Sequence, residues 1–95
     1  MTVYFVANID VSNPNVYGEY GKLFYGVFEK FKGKVLAVDR EYEVLEGEWS
    51  ADHTVILEFP TKADLKAWYE SAEYQELVAM RASASDADIV LIQGR

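Results

Sequence analysis

Cysteine is absent from the sequence, and histidine occurs once, at His53. The first absence excludes disulfides, thiolate chemistry and cysteine–zinc sites. The second excludes an all-histidine metal centre within one chain. Positive charge is scarce too: nine Lys and Arg stand against 16 Asp and Glu, a net charge of −7. Nucleic acid demands a basic surface and is not an expected partner. An anionic membrane surface is excluded on the same ground. No stretch approaches the ~20 apolar residues of a membrane span. Met1–Phe5 has no basic leader ahead of an apolar run, so no signal peptide is expected and the cytoplasm is the default location.

What is present is apolar and aromatic. Of 95 residues, 51% are hydrophobic and 15% aromatic, which supports one globular domain over residues 1–95; two would each lack a stable core. Val3, Phe5, Ala7, Ile9 and Val11 fall on one face of a first strand. Asn13 is a helix cap and Pro14 a first helical residue. From Val16 to Phe31 apolar residues recur at three- and four-residue steps, a helix interrupted by Gly18, Gly21 and Gly26 and closed by Gly33 as a left-handed cap. Lys34–Val38 is a second strand, and Glu43–Gly47 reads as an extended continuation. In the third strand His53, Val55, Leu57 and Phe59 share one face, and Pro60 ends it. Thr61 caps the next helix, with Leu65, Trp68 and Tyr69 as its buried stripe; Ser71 restarts a helix lined by Tyr74, Leu77, Val78 and Arg81. Ser83–Ala87 reads as a loop and Ile89–Ile92 as the last strand.

This order predicts an α+β ferredoxin-like β-α-β-β-α-β sandwich with an antiparallel four-stranded sheet. Its helices cover one face only. The other face measures roughly 330 Å² in plan and carries apolar residues, so a sheet-to-sheet homodimer is expected.

Three motifs, Val44–Trp49 (V-L-E-G-E-W), Glu58–Pro60 (E-F-P) and Trp68–Gln75 (W-Y-x-S-x-E-Y-Q), with Arg81 six residues later, resemble the domain-of-unknown-function family numbered 1330. The likeness runs along essentially the whole chain. It implies a ferredoxin-like protomer paired through its sheets, a dimeric α/β barrel, and it implies no activity. The family often has Pro where this chain has Ala72, and Arg where it has His53. The superfamily includes cofactor-free and haem-degrading monooxygenases; Asn8 and Trp68 resemble two residues of the haem site. No histidine follows Trp68, so haem is not expected, and neither is any other cofactor or metal.

The candidate ligand-binding residues are Tyr20, Trp49, Trp68, Tyr69, Tyr74 and Arg81, with Tyr17 beside them: aromatic walls with phenolic tips suit a small organic molecule. Core or interface packing is the plainer role for each. Glu46, at a strand end before Gly47, and His53 are the candidate catalytic residues. For Glu46 the plainer role is an ion pair with Arg40 or Arg81, and for His53 an ordinary surface position. Arg81, on a buried stripe, needs a carboxylate, expected from the protein, with a ligand as the other source. Three functions stay open. One is a homodimer binding a small organic molecule between sheet and helices. Another is a cofactor-free enzyme, of isomerase or monooxygenase type, acting on a small organic acid or aromatic. The third is a structural or interaction module.

Overall fold

The computed structural model describes all 95 residues. Its elements are β1 (Val3–Val11), α1 (Pro14–Phe28), β2 (Lys34–Asp39), β3 (His53–Phe59), α2 (Lys62–Tyr69), α3 (Ala72–Ala84) and β4 (Ser85–Gln93). The sheet order is β2-β3-β1-β4, and every neighbouring pair is antiparallel. This is the ferredoxin-like arrangement that the element order predicts.

The alternation in β1 and β3 decides which side faces the helices. Val3, Phe5, Ala7 and Ile9 are buried, and so are His53, Leu57 and Phe59 opposite them. Tyr20 and Phe28 of α1, Leu65 and Trp68 of α2, and Tyr74 and Leu77 of α3 close over that face. The other side has an apolar centre: Val6 pairs with Ile56 and Val90, and Tyr4 with Ile92. Val90 and Ile92 are exposed. Polar residues stand at its ends, with Asn8 between Thr54 and Asp88 and Glu58 beside Lys34. No helix is long and apolar enough to cross a membrane.

Caps set the helix starts. Asn13 Oδ1 accepts from Val16 N at 3.2 Å, ahead of Pro14. Ser71 works at two helix ends: its hydroxyl donates to the Trp68 carbonyl at 2.7 Å and accepts from Tyr74 N at 3.1 Å. The chain thus turns from α2 into α3 within three residues, with Ser71 restarting the helix as its sequence context predicts.

Three local expectations are corrected. Residues 43–47 form no strand; the chain from Arg40 to Asp52 is a loop, and the bulge lies earlier, between Val35 and Ala37. α1 ends at Phe28, and Gly33 is not left-handed; the one positive-φ residue is Gly47, at 79°. Gly33 is required for space, because a Cβ there would collide with the rings of Phe28 and Phe59. Ser83–Ala87 is not a loop: Ser83 and Ala84 end α3 and Ser85 starts β4, which pairs with β1 down to Val11↔Ser85.

Candidate functional site

A cavity of about 150 Å³ lies between the helices and the β2–β3–β1 part of the sheet. Its floor is Ala7 and Ile9 of β1, Val55 and Leu57 of β3 and Val35 and Val38 of β2. The bulge after Val35 is what puts Val38 on this side, since a single extra residue inverts the alternation of a strand. α1 contributes Tyr17, Tyr20, Gly21 and Phe24 from successive turns, and α3 contributes Tyr74 and Arg81, two turns apart. Arg40, just beyond β2, completes the lining.

The polar groups form a ridge along one wall. Tyr20 and Tyr74 share a hydrogen bond between their hydroxyls at 2.7 Å. The ring of Tyr17 lies 5.4 Å from that of Tyr20 and 5.5 Å, edge-on, from that of His53. Tyr17 Oη and His53 Nε2 are 3.0 Å apart. His53 is held in place by the loop entering β3: Val11 N donates to Asp52 Oδ2 at 2.6 Å, and Asp52 N donates to Asp10 Oδ1 at 2.9 Å.

Burial dominates the ionisation of this ridge. It pushes Tyr17, Tyr20 and Tyr74 above the ordinary phenol value, with Arg81 pulling each the other way, so all three keep their protons at neutral pH. It pushes His53 below the ordinary imidazole value, helped by the charge of Arg40 and opposed by Asp52 and Asp10. His53 is therefore neutral at pH 7, and its Nδ1 is buried without a partner.

Arg81 is 6% exposed and its Nε has no partner. The fold's two ion pairs, Lys22–Glu19 and Lys30–Glu73, lie on the surface. The protein carboxylate expected for Arg81 is thus missing. Among the 17 residues lining the cavity there are two arginines and no aspartate or glutamate.

The structure brings Tyr17, Tyr20, His53, Tyr74 and Arg81 to one cavity; the other candidates do not line it, although the rings of Trp68 and Tyr69 pack on Tyr74 at 4.2 and 5.8 Å. His53 is 1% exposed, not a surface residue. Glu46 is exposed, forms no ion pair with Arg40 or Arg81, and lies with Trp49 in a hollow on the opposite face of the sheet. The two candidate acid–base residues are therefore on different sides of the fold. Trp68 is fully buried in the core and lines no cavity. Tyr69 borders a separate hollow with Leu65, Lys66 and Glu70. Arg40 is the lining residue that the sequence candidates miss; its place directly after a strand whose alternate residues face inward is the signal for it. No group of three or more His, Asp or Glu is placed to hold a metal ion.

Solved structures similar to this chain share its fold. A protein of unknown function from Rhodopseudomonas palustris, RPA0582, superposes with a TM-score of 0.82 at 21% identity, over 99% of this chain and 82% of that one. A dimeric ferredoxin-like protein of unknown function from Jannaschia sp. CCS1 gives 0.76 at 13% identity, over 99% and 100%. SnoaB, a cofactor-independent oxygenase from Streptomyces nogalater, gives 0.73 at 13% identity, over 99% and 93%. No curated protein matches the chain. The model of the family described as "Domain of unknown function (DUF1330)" matches residues 2–95, so the resemblance carried by the Glu-Gly-Glu-Trp and Trp-Tyr motifs is one of membership: the chain belongs to the DUF1330 family.

Proposed function

We propose that this protein is a cytoplasmic homodimer that binds a small organic acid with an apolar or aromatic body in the cavity beside α1. One observation carries the reading: Arg81 is a buried guanidinium without a carboxylate, in the wall of a mostly apolar cavity that holds a second arginine and no acid. An unpaired buried cation costs several kcal/mol. In a chain of net charge −7, a cavity lining with no acid is a selection for anions. A carboxylate there would take a two-pronged hydrogen bond from the guanidinium. Phe24, Val55, Leu57 and Ile89 would cover the rest of the molecule. A volume of about 150 Å³ suits a benzene-sized ring, and the exposed Tyr25 and Val38 in the lining leave the cavity open on one side for a short side chain. The pairing of two copies through the outer sheet face is supported by its apolar centre and by the dimeric state of ferredoxin-like neighbours.

Titration calorimetry with benzoate and with its uncharged counterpart benzyl alcohol tests the binding. Saturable heat with benzoate, at least tenfold weaker with the alcohol and lost in Arg81→Met, is the expected outcome. No heat from benzoate or from any of a set of short aromatic and aliphatic acids overturns the reading. Sedimentation at micromolar concentration tests the pairing; a monomer rejects it.

A further inference from the structure

From the Tyr17–His53 pair and the Arg81 guanidinium in the lining of the same cavity we infer that the protein moves a proton on its ligand, interconverting the keto and enol forms of a small 2-oxo acid. The inference rests on the binding reading above and adds chemistry to it.

Three observations converge. The imidazole is almost wholly withdrawn from solvent, yet its ring lines the cavity, and its single hydrogen bond joins Nε2 to the Tyr17 hydroxyl at 3.0 Å. The hydroxyl lies in the same wall, so a proton leaving a ligand has one short route to the ring. The charged neighbours are arranged for a proton that arrives and leaves. Asp52 and Asp10, from the loop before β3 and from β1, favour the imidazolium; Arg40, from beyond β2, opposes it, and burial keeps the resting ring neutral. Arg81, on α3, contributes a guanidinium with no carboxylate partner and with its Nε free of any hydrogen bond, the positive charge that negative charge developing on an oxygen requires, within a lining that has no carboxylate. Fixed donors in a water-poor site stabilise such charge far more than they would in bulk water. A purely structural His–Tyr hydrogen bond would need neither the cavity nor an arginine in it without a carboxylate.

The step balances without a co-reactant. With Nδ1 carrying its hydrogen, Nε2 accepts from Tyr17 Oη. The C–H bond next to the ligand's ketone breaks. Its proton passes to Oη as the hydroxyl's own proton moves to Nε2. The C–H electron pair forms the C=C bond, and the carbonyl π pair moves to oxygen. The resulting enolate oxygen lies beside the ligand's carboxylate, so one guanidinium fork can meet both. Return of the proton to that oxygen gives the enol, and return to carbon restores the ketone. Nothing is oxidised or reduced, and a pair that can hold the proton in either direction serves both.

The probe is phenylpyruvate in D2O, with loss of its C3 proton signal followed by NMR and binding measured in parallel by calorimetry. The expected result is exchange at least tenfold above the buffer rate, saturating in probe. Tyr17→Phe should keep the binding and fall to the buffer rate, and His53→Gln should do the same. In the wild-type protein the rate should rise with pH up to neutrality and then level off, as imidazolium gives way to imidazole. Binding with exchange no faster than buffer overturns the inference and leaves the binding reading standing, and so does full exchange in Tyr17→Phe. Flat calorimetry with phenylpyruvate and with every simpler acid overturns both.

Discussion

The two ends of the helix–sheet layer contain similar aromatic residues and are finished differently. At the Val3–Phe59 end the space is filled. Trp68 stacks on Phe59 at 5.5 Å and takes the edges of Phe5 at 5.3 Å and Phe28 at 5.4 Å. At the Ile9–His53 end the same layer opens into the cavity. The difference lies in how many side chains have polar tips: the filled end buries one without a partner, Trp68 Nε1, and the open end gathers several polar side chains. Phenyl and indole rings close on one another because edge-to-face contact satisfies most of their surface. Tyr17, Tyr20, Tyr74, His53 and Arg81 each carry a polar group that must meet a partner, and together they hold the wall apart where Phe and Leu would have collapsed it. One end is thus a stability device. The other gives up packing to keep polar groups facing a space.

The sharpest way to break this comparison is at the filled end. Trp68→Ala should cost about 3–5 kcal/mol, measured as a lower urea midpoint. That is a large share of a small domain's stability. A loss under about 1 kcal/mol would mean that the ring cluster is not what closes the layer. Arg81→Met at the open end should behave in the opposite sense. Removing an unpaired buried charge in favour of an apolar chain of similar length should leave stability unchanged or raise it, by about 1–4 kcal/mol, while abolishing benzoate binding. A Met variant as unstable as the Trp68 variant would show that Arg81 has a structural partner after all.

The histidine gives the open end a pH signature. The unfolded imidazole titrates near 6.5, and in the fold burial first, then Arg40, lowers that value. Between the two values the unfolded chain holds more protons than the folded one. Stability therefore rises with pH through that window, is fully present above 6.5 and falls as pH drops below it. His53→Gln should flatten this part of the curve in urea titrations at pH 5 to 7, above the range in which carboxylates ordinarily titrate. An unchanged slope in the variant would mean that another group is responsible.

Much of the filled end was legible in the sequence, and little of the open end. The odd-numbered residues of β1 and β3 face the helices as their alternation predicts, because an apolar strand face has only one place to go. Ser71 was legible as a cap because its partners are three residues away on either side. The failures are those of long range. His53 resembles a surface residue until Tyr17, 36 positions earlier, is placed against it. Ser83–Ala87 resembles a polar loop until the β1 ladder recruits Ser85, Asp86 and Ala87. Glu46 and His53 are seven positions apart, yet the loop carries Glu46 to the other face of the sheet. Helical spacing alone put Trp68, Tyr69 and Tyr74 in one list; only packing divides them between core, surface hollow and cavity.

The smallest expected effect separates the two ends most cleanly. Gly18, Gly21 and Gly26 all lie within α1, and a Cβ built on any of them meets nothing within 4 Å. The close backbone approach that helical glycines commonly mark is therefore absent inside the protomer. Each Gly→Ala change should stabilise the helix by about 1 kcal/mol, since alanine loses less backbone entropy on folding and no clash opposes it. Gly18 and Gly26 are exposed, so there the gain should come without functional consequence. Gly21 lines the cavity. A methyl group there occupies part of a space of about 150 Å³, so Gly21→Ala should raise the melting temperature as the other two do and weaken benzoate binding as they do not. If Gly21→Ala binds as well as Gly18→Ala, the ligand does not lie beside α1. If Gly21→Ala is not stabilised, a neighbour from a second copy already occupies that face of the helix. Either result would change the picture of which end of this layer is open.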